Sequence, residues 1–168
     1  MQINKKKGAW SFSGKVANNF EKHIERSVPY YLESHNMILN LSDFFLFNGS
    51  RCYDLGSSTG NLLNKLSQKT NKKKLDLIGI EVESEMIKLS KKNKSRNKNV
   101  KLSFLKKDIK TYKLKNSNLI TSFYTMQFIH PSHRQKIFNM IYKTLNYGGA
   151  FIMFEKIRGN DARFENII

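Results

Sequence analysis

Three stretches of this chain hold residue types suited to gripping a polar ligand, and their spacing ties them together. In Arg51-Cys52-Tyr53-Asp54-Leu55-Gly56-Ser57-Ser58-Thr59-Gly60-Asn61-Leu62-Leu63, two glycines bracket three small hydroxyl residues. A turn so poor in side chains lets backbone amides come close to a ligand. A helix start behind it aims unpaired N–H groups at polar atoms. Glu81 follows about 20 residues later, the distance at which an acid ending a second strand reaches ribose hydroxyls. A carboxylate accepts from two vicinal hydroxyls, which an amide or a lysine does less well. Asp108 follows a third apolar run. Its carboxylate suits an exocyclic adenine amine, with the Ile109 N–H directed at a ring nitrogen. The bland readings are an ordinary strand-to-helix loop, a solvated strand-end acid and a turn cap. The recurrence of all three at successive strand ends favours the ligand.

Other chemistries find less support. His130 and His133 flank Ser132, yet no Cys, Asp or third His stands at supporting spacing, so no metal site is expected. Ser57 and Ser58 lie between glycines but lack the sequence of a nucleophile elbow. No Gly-Lys-Ser/Thr phosphate loop is present, which argues against nucleoside triphosphate hydrolysis. No residue is singled out as catalytic.

The elements that must position these residues are legible from apolar periodicity. Residues 1–13 read as a basic lead-in, with Trp10 and Phe12 as docking aromatics, and 14–168 as one domain. Within it, 14–47 holds two helices. Val16, Phe20 and Ile24 mark a face of the first. Pro29 separates the two and can open the second, whose inward candidates are Tyr31, Ile38, Leu41 and Phe45. The α/β core spans 51–157. Its strands are expected at the Cys52–Leu55 run, Leu75–Ile80, Val100–Leu105, Asn118–Tyr124 and Ala150–Phe154. The helices between them start after Gly60, at Ser84 as a cap, and at Pro131. Gly148-Gly149 is read as the stop of the last one, and a further helix is expected from Asp161. Regular alternation of strand and helix specifies an α/β, Rossmann-like three-layer fold with a mostly parallel sheet. In such sheets ligands bind beyond the carboxyl ends of the strands.

The chain has 168 residues and a net charge of +17. One reading is an anionic partner such as nucleic acid. The other is compositional, with Lys, Asn and Ile abundant together and the lysines forming solvated surface. Direct nucleic-acid binding is left open. The runs Lys69–Lys74 and Lys91–Asn99 precede strands and so fall at the amino ends, opposite the crevice, whereas Lys106, Lys107, Lys110 and Lys113 follow the third strand. No apolar run reaches the length of a membrane span, and no signal-peptide pattern opens the chain. A single cysteine, Cys52, cannot pair internally, which suits a reducing, cytoplasmic home.

Asp54-Leu55-Gly56-Ser57-Ser58-Thr59-Gly60 with Glu81 and Asp108 resembles the class I S-adenosylmethionine-dependent methyltransferases. More particularly, the chain resembles the carboxy-S-adenosylmethionine synthase family, which serves wobble-uridine modification in tRNA. The similar segments are Trp10-Ser11-Phe12, Ile24-Glu25-Arg26-Ser27-Val28-Pro29 with Tyr31, Tyr53 to Gly56, Thr125-Met126-Gln127-Phe128, and Ile141-Tyr142 through Gly148-Gly149-Ala150 to Glu155-Lys156. The resemblance implies S-adenosyl-L-methionine, or its carboxylated form, as cofactor. It places Gly56, Ser57 and Ser58 against the methionine part, Glu81 on the ribose, Asp108 and Ile109 on adenine, and Tyr31 over the sulfonium. It implies prephenate as the source of the carbon dioxide added to the cofactor methyl. An ordinary methyltransferase acting on a small molecule or tRNA is the alternative enzyme, a degenerate cofactor-binding protein the non-enzyme alternative, and a homodimer is left open. This chain departs from the family at Ser57 (usually Cys), at Glu81-Val82 (usually Asp-Asn) and at Phe123 (usually Asn). The family's sheet has seven strands and ends with a carboxylate-gripping arginine. Here the fold is expected to be truncated after the fifth strand, and neither Arg158 nor Arg163 matches that motif.

Overall fold

The computed structural model describes residues 15–70 and 73–157. Trp10, Phe12, Arg158, Arg163 and the helix expected from Asp161 lie outside them. In chain order the elements are α1 (Lys15–Ser27), α2 (Tyr31–Phe45), β1 (Arg51–Leu55), α3 (Asn61–Lys69), β2 (Leu75–Glu81), α4 (Ser84–Lys92), β3 (Val100–Lys106), β4 (Ser117–Phe123), α5 (Pro131–Thr144) and β5 (Leu145–Phe154), with a single 3₁₀ turn at Met126–Phe128.

All strand pairs are parallel and the order is β3-β2-β1-β4-β5. The chain lays β2 and β3 to one side of β1, then returns to place β4 on the other. The crevice between β1 and β4 is therefore the topological switch point, where ligands bind in such sheets. Alternate strand residues serve opposite faces. Cys52, Leu77, Leu102, Phe104 and Leu119 pack with Leu63, Leu66 and Ile87 from α3 and α4. Tyr53, Leu55, Ile78, Ile80 and Ile120 pack with Ile137 and Ile141 of α5. Removing each such side chain from water stabilises the fold by about 1.5–3 kcal/mol.

Four local expectations are corrected. Pro29 does not open α2. The helix starts at Tyr31, after Tyr30 has taken a left-handed backbone (φ +58). Leu41 is 37% exposed, because α2 turns Ile38 and Ser42 inward instead. Ser84 is the first helical residue of α4 and not its cap, a place held by Glu83. Gly148 and Gly149 do not end α5, which stops at Thr144. They lie inside β5, where the pairing jumps from Ser117–Leu145 to Leu119–Ala150. A Cβ on Gly149 would meet the Asn118 carbonyl oxygen at 2.9 Å, so this irregular stretch needs glycine for close backbone approach.

Candidate functional site

The turn after β1 is anchored from below. The N–H groups of Gly56 and Ser57 both donate to the Ile80 carbonyl, at 2.8 and 3.0 Å. Ser58, left-handed at φ +48, donates its N–H to Glu81 Oε2 at 2.9 Å. Glu81 Oε1 accepts from the N–H groups of Val82 and Glu83 at 2.7 and 2.8 Å. The turn amides expected to face a ligand are thus partly spent on β2. With about four lone-pair sites on a carboxylate, Glu81 keeps one for a hydroxyl while those three bonds persist. The start of α3 stays open, since Gly60 at its N-cap offers no side chain.

The strand ends bring the sequence-derived residues together. Lys106 pairs with Glu81, and the Lys107 N–H donates to the Glu81 carbonyl at 2.9 Å, which puts Asp108 one residue past that link. Asp108 Oδ1 accepts from the Lys110 N–H at 2.9 Å and Oδ2 lies 3.2 Å from Lys110 Nζ, so this carboxylate also caps its turn. Ile109 is buried against the α5 face of the sheet. Tyr31 is 6% exposed and stacks at 4.6 Å on His35 and 5.2 Å on Phe123. Burial raises its phenol pKa, with Glu21 and Asp54 adding, so the ring is neutral. His130 and Ser132 are spent on α5: His130 Nδ1 accepts from the Ser132 N–H at the helix start. Among the described residues no group of three His, Cys, Asp or Glu could hold a metal ion.

Four residues of the crevice escaped sequence reasoning. Asp54 is fully buried and takes the Thr121 hydroxyl at 2.8 Å. Burial pushes its carboxyl up to about 7, the Thr121 bond opposing and the Glu81 charge adding. His35 lies 3.5 Å from Lys65 Nζ, and burial, with that lysine, lowers it to about 4. Glu21 of α1 accepts from the Thr59 hydroxyl at 2.7 Å. Glu155, just past β5, accepts from the N–H groups of Thr125, Met126 and Gln127 at 2.9, 2.6 and 3.0 Å. Only Glu155 carried a usable signal, as an acid just beyond a strand end like Glu81 and Asp108.

Two hydroxyls near the carboxyl ends of β1 and β4, Ser57 Oγ and Ser122 Oγ, are buried with no hydrogen-bond partner among the described residues. Ser57 follows β1 and Ser122 is the β4 residue opposite Leu55. A buried hydroxyl left so costs about 1–3 kcal/mol. Ser57 Oγ lies over Gly79 of β2, where a built Cβ would meet it at 2.5 Å, and Ser122 is on the sheet face of Ile120.

A parallel sheet in this order, with a glycine turn after β1 and acids at the ends of β2 and β3, defines a class I methyltransferase domain that takes S-adenosyl-L-methionine. Comparison agrees: a model of the methyltransferase domain matches residues 53–149. The carboxy-S-adenosyl-L-methionine synthase of Staphylococcus epidermidis is 37% identical over 160 residues, covering 95% of this chain and 68% of the relative. That of Nautilia profundicola is 39% identical over 159 residues, covering 95% and 67%. An S-adenosylmethionine-dependent methyltransferase structure from Clostridium acetobutylicum superposes with a TM-score of 0.64 at 21% identity, covering 81% of this chain and 56% of that one. The chain belongs to the carboxy-S-adenosyl-L-methionine synthase family of these methyltransferase-fold enzymes, and spans about two thirds of the length of the two relatives.

Proposed function

We propose that this chain converts S-adenosyl-L-methionine and prephenate into carboxy-S-adenosyl-L-methionine, phenylpyruvate and water. Prephenate releases carbon dioxide and hydroxide, the carbon dioxide bonds the methyl carbon, and the proton displaced from that carbon goes to the hydroxide. The observation that carries this reading is its 37% and 39% identity with synthases of that name along 95% of its length. Bound S-adenosyl-L-methionine supplies a positive sulfonium beside the methyl carbon that reacts. The chain's own residues then have these roles. Gly56, Ser57 and Ser58 lie along the methionine part, and the free N–H groups at the start of α3 take its carboxylate. Glu81 accepts from a ribose hydroxyl. Asp108 and the Ile109 N–H hold adenine. The neutral Tyr31 ring faces the sulfonium, an attraction of about 0.5–2 kcal/mol.

The carboxylated cofactor is a donor for wobble-uridine modification of tRNA, which makes this chain a supplier to that chemistry. The buried free thiol of Cys52 suits a reducing compartment and a cytoplasmic home. Incubation of the purified protein with S-adenosyl-L-methionine and prephenate tests the activity. Mass spectrometry is expected to reveal a carboxylated cofactor that requires both reactants. Methyl transfer to an acceptor, with prephenate untouched, speaks for an ordinary methyltransferase instead.

A further inference from the structure

The charge of this molecule is unevenly placed. Residues 109–154 contain no aspartate or glutamate, yet hold Lys110, Lys113, Lys115, Arg134, Lys136 and Lys143. The fold sets these six cations in the connector between β3 and β4 and in α5, which pack on the same face of the sheet. Between them runs a groove of about 770 Å3, lined along α5 from Ser132 to Thr144. Lys113 stands on one wall and Lys136 and Lys143 on the other, with Gln135 next to Lys136 and Asn139 between the helix lysines. No carboxylate lines it. All three lysines are exposed, and none is in an ion pair among the described residues. Lys69, Lys88 and Lys110, by contrast, are each paired with an acid.

We propose that this groove binds the phosphodiester backbone of a nucleic-acid strand. The lining from Ser132 to Thr144 extends about 18 Å at the helical rise, enough for several successive phosphates. Lysines supply the charge, and Ser132, Gln135 and Asn139 supply neutral donors, the mixture by which phosphate oxygens are held. Tyr142, on the flank of α5, is 82% exposed and gives a base a ring to stack on. An extended strand follows the length of this lining, and the vesicle comparison below separates it from a bilayer surface. An acidic peptide would make no use of the exposed ring. The groove is distinct from the cofactor crevice, because it descends from the start of α5 towards the amino ends of the strands.

The test is fluorescence anisotropy of the whole protein with a short, labelled, single-stranded RNA of mixed sequence, across a range of salt. The groove variant Lys113→Gln/Lys136→Gln/Lys143→Gln is compared with Lys94→Gln/Lys98→Gln/Lys101→Gln, which removes equal charge from the α4–β3 side. The groove variant is expected to bind at least about tenfold more weakly, with the slope of log affinity against log salt reduced by about 2, at ~0.7 per lost contact to a single strand. The rim variant is expected to change affinity by less than about twofold, in keeping with charge that makes no direct phosphate contact. Equal losses in the two variants overturn the proposal, because net charge alone would then explain binding. It is equally overturned if the wild type ignores RNA, or prefers polyglutamate or phosphatidylserine-containing vesicles. Thermal melts check folding, and the single variant Lys136→Gln, at an exposed helical position, must weaken RNA binding in the same direction should the triple variant unfold.

Discussion

Thr125 closes directly on Gly56: a Cβ built on Gly56 would lie 2.2 Å from the Thr125 hydroxyl oxygen. The turn after β1 and the turn after β4 therefore meet over the switch point, and glycine is what allows them to touch. Gly56 is also left-handed, with φ +78. Gly49 supplies the reference, since it is left-handed at φ +87 with no heavy atom within 4 Å of a built Cβ. Gly49→Ala is expected to cost about 1 kcal/mol for its backbone alone. Gly56→Ala adds a steric cost of about 1–3 kcal/mol and also weakens binding of S-adenosylhomocysteine. Urea unfolding and calorimetric titration measure the two effects, and equal destabilisation by the two variants would refute the contact.

Glu155 holds the other half of that closure. Its carboxylate takes three successive N–H groups of the Thr125–Gln127 segment, so it fixes the loop that presses on Gly56. Glu155→Ala strands those donors and is expected to cost about 2–4 kcal/mol, allowing for water that replaces some of the lost bonds. Glu155→Gln keeps an acceptor oxygen and is expected to cost roughly half as much. A change below about 0.5 kcal/mol in denaturant unfolding of Glu155→Ala, the range of an ordinary surface substitution, would show that the loop holds itself.

Asp54 makes stability depend on pH in a direction opposite to most aspartates. Its carboxyl is raised by burial from 3.8 to about 7. Stabilisation from the protonated group is complete below about pH 4 and is lost as pH rises through about 7. His35, lowered from 6.5 to about 4 by burial and by Lys65, contributes in the other sense. Its stabilisation is present above about pH 6.5 and disappears as pH falls towards 4. The two slopes oppose one another across that window. Asp54→Asn keeps an acceptor for the Thr121 hydroxyl and removes the ionisation. Relative to wild type it is expected to gain up to about 4 kcal/mol between pH 4 and pH 8. A wild-type-minus-variant stability difference that stays flat over this range contradicts the assignment.

Much of this architecture can be read from the chain itself. Apolar runs separated by glycine and proline locate the five strands of the described residues, and the alternation of elements dictates a parallel sheet. Glu81 and Asp108 are legible because a strand-end acid has a defined place in such a sheet. What the chain hides is side-chain packing across long separations. Asp54 looks like part of a strand, and only the folded sheet puts Thr121, 67 residues away, beside it. The amides of Gly56 and Ser57 look free, and only the register of β2 shows Ile80 taking them. Gly148-Gly149 resembles a helix stop because a local pattern cannot report that Leu145 has already paired with Ser117.

Glu81 holds the turn through the Ser58 N–H and, in its proposed role, also takes a ribose hydroxyl. Glu81→Ala is expected to weaken S-adenosyl-L-methionine binding by roughly 1–3 kcal/mol through lost charged hydrogen bonds. Glu81→Gln should restore part of it, because an amide oxygen still accepts from the Ser58 N–H. Calorimetric titration provides the readout, and unchanged affinity in Glu81→Ala removes this residue from the ligand site.

The central claim, that this crevice holds a cofactor on which carboxylation is performed, is tested most directly by the small molecule that copurifies with the protein. Denaturation followed by mass spectrometry is expected to release an adenosyl sulfonium heavier than S-adenosyl-L-methionine by one carboxylate, and to release less of it from Glu81→Ala. Recovery of S-adenosyl-L-methionine alone, from a protein that leaves added prephenate unchanged, would contradict the account.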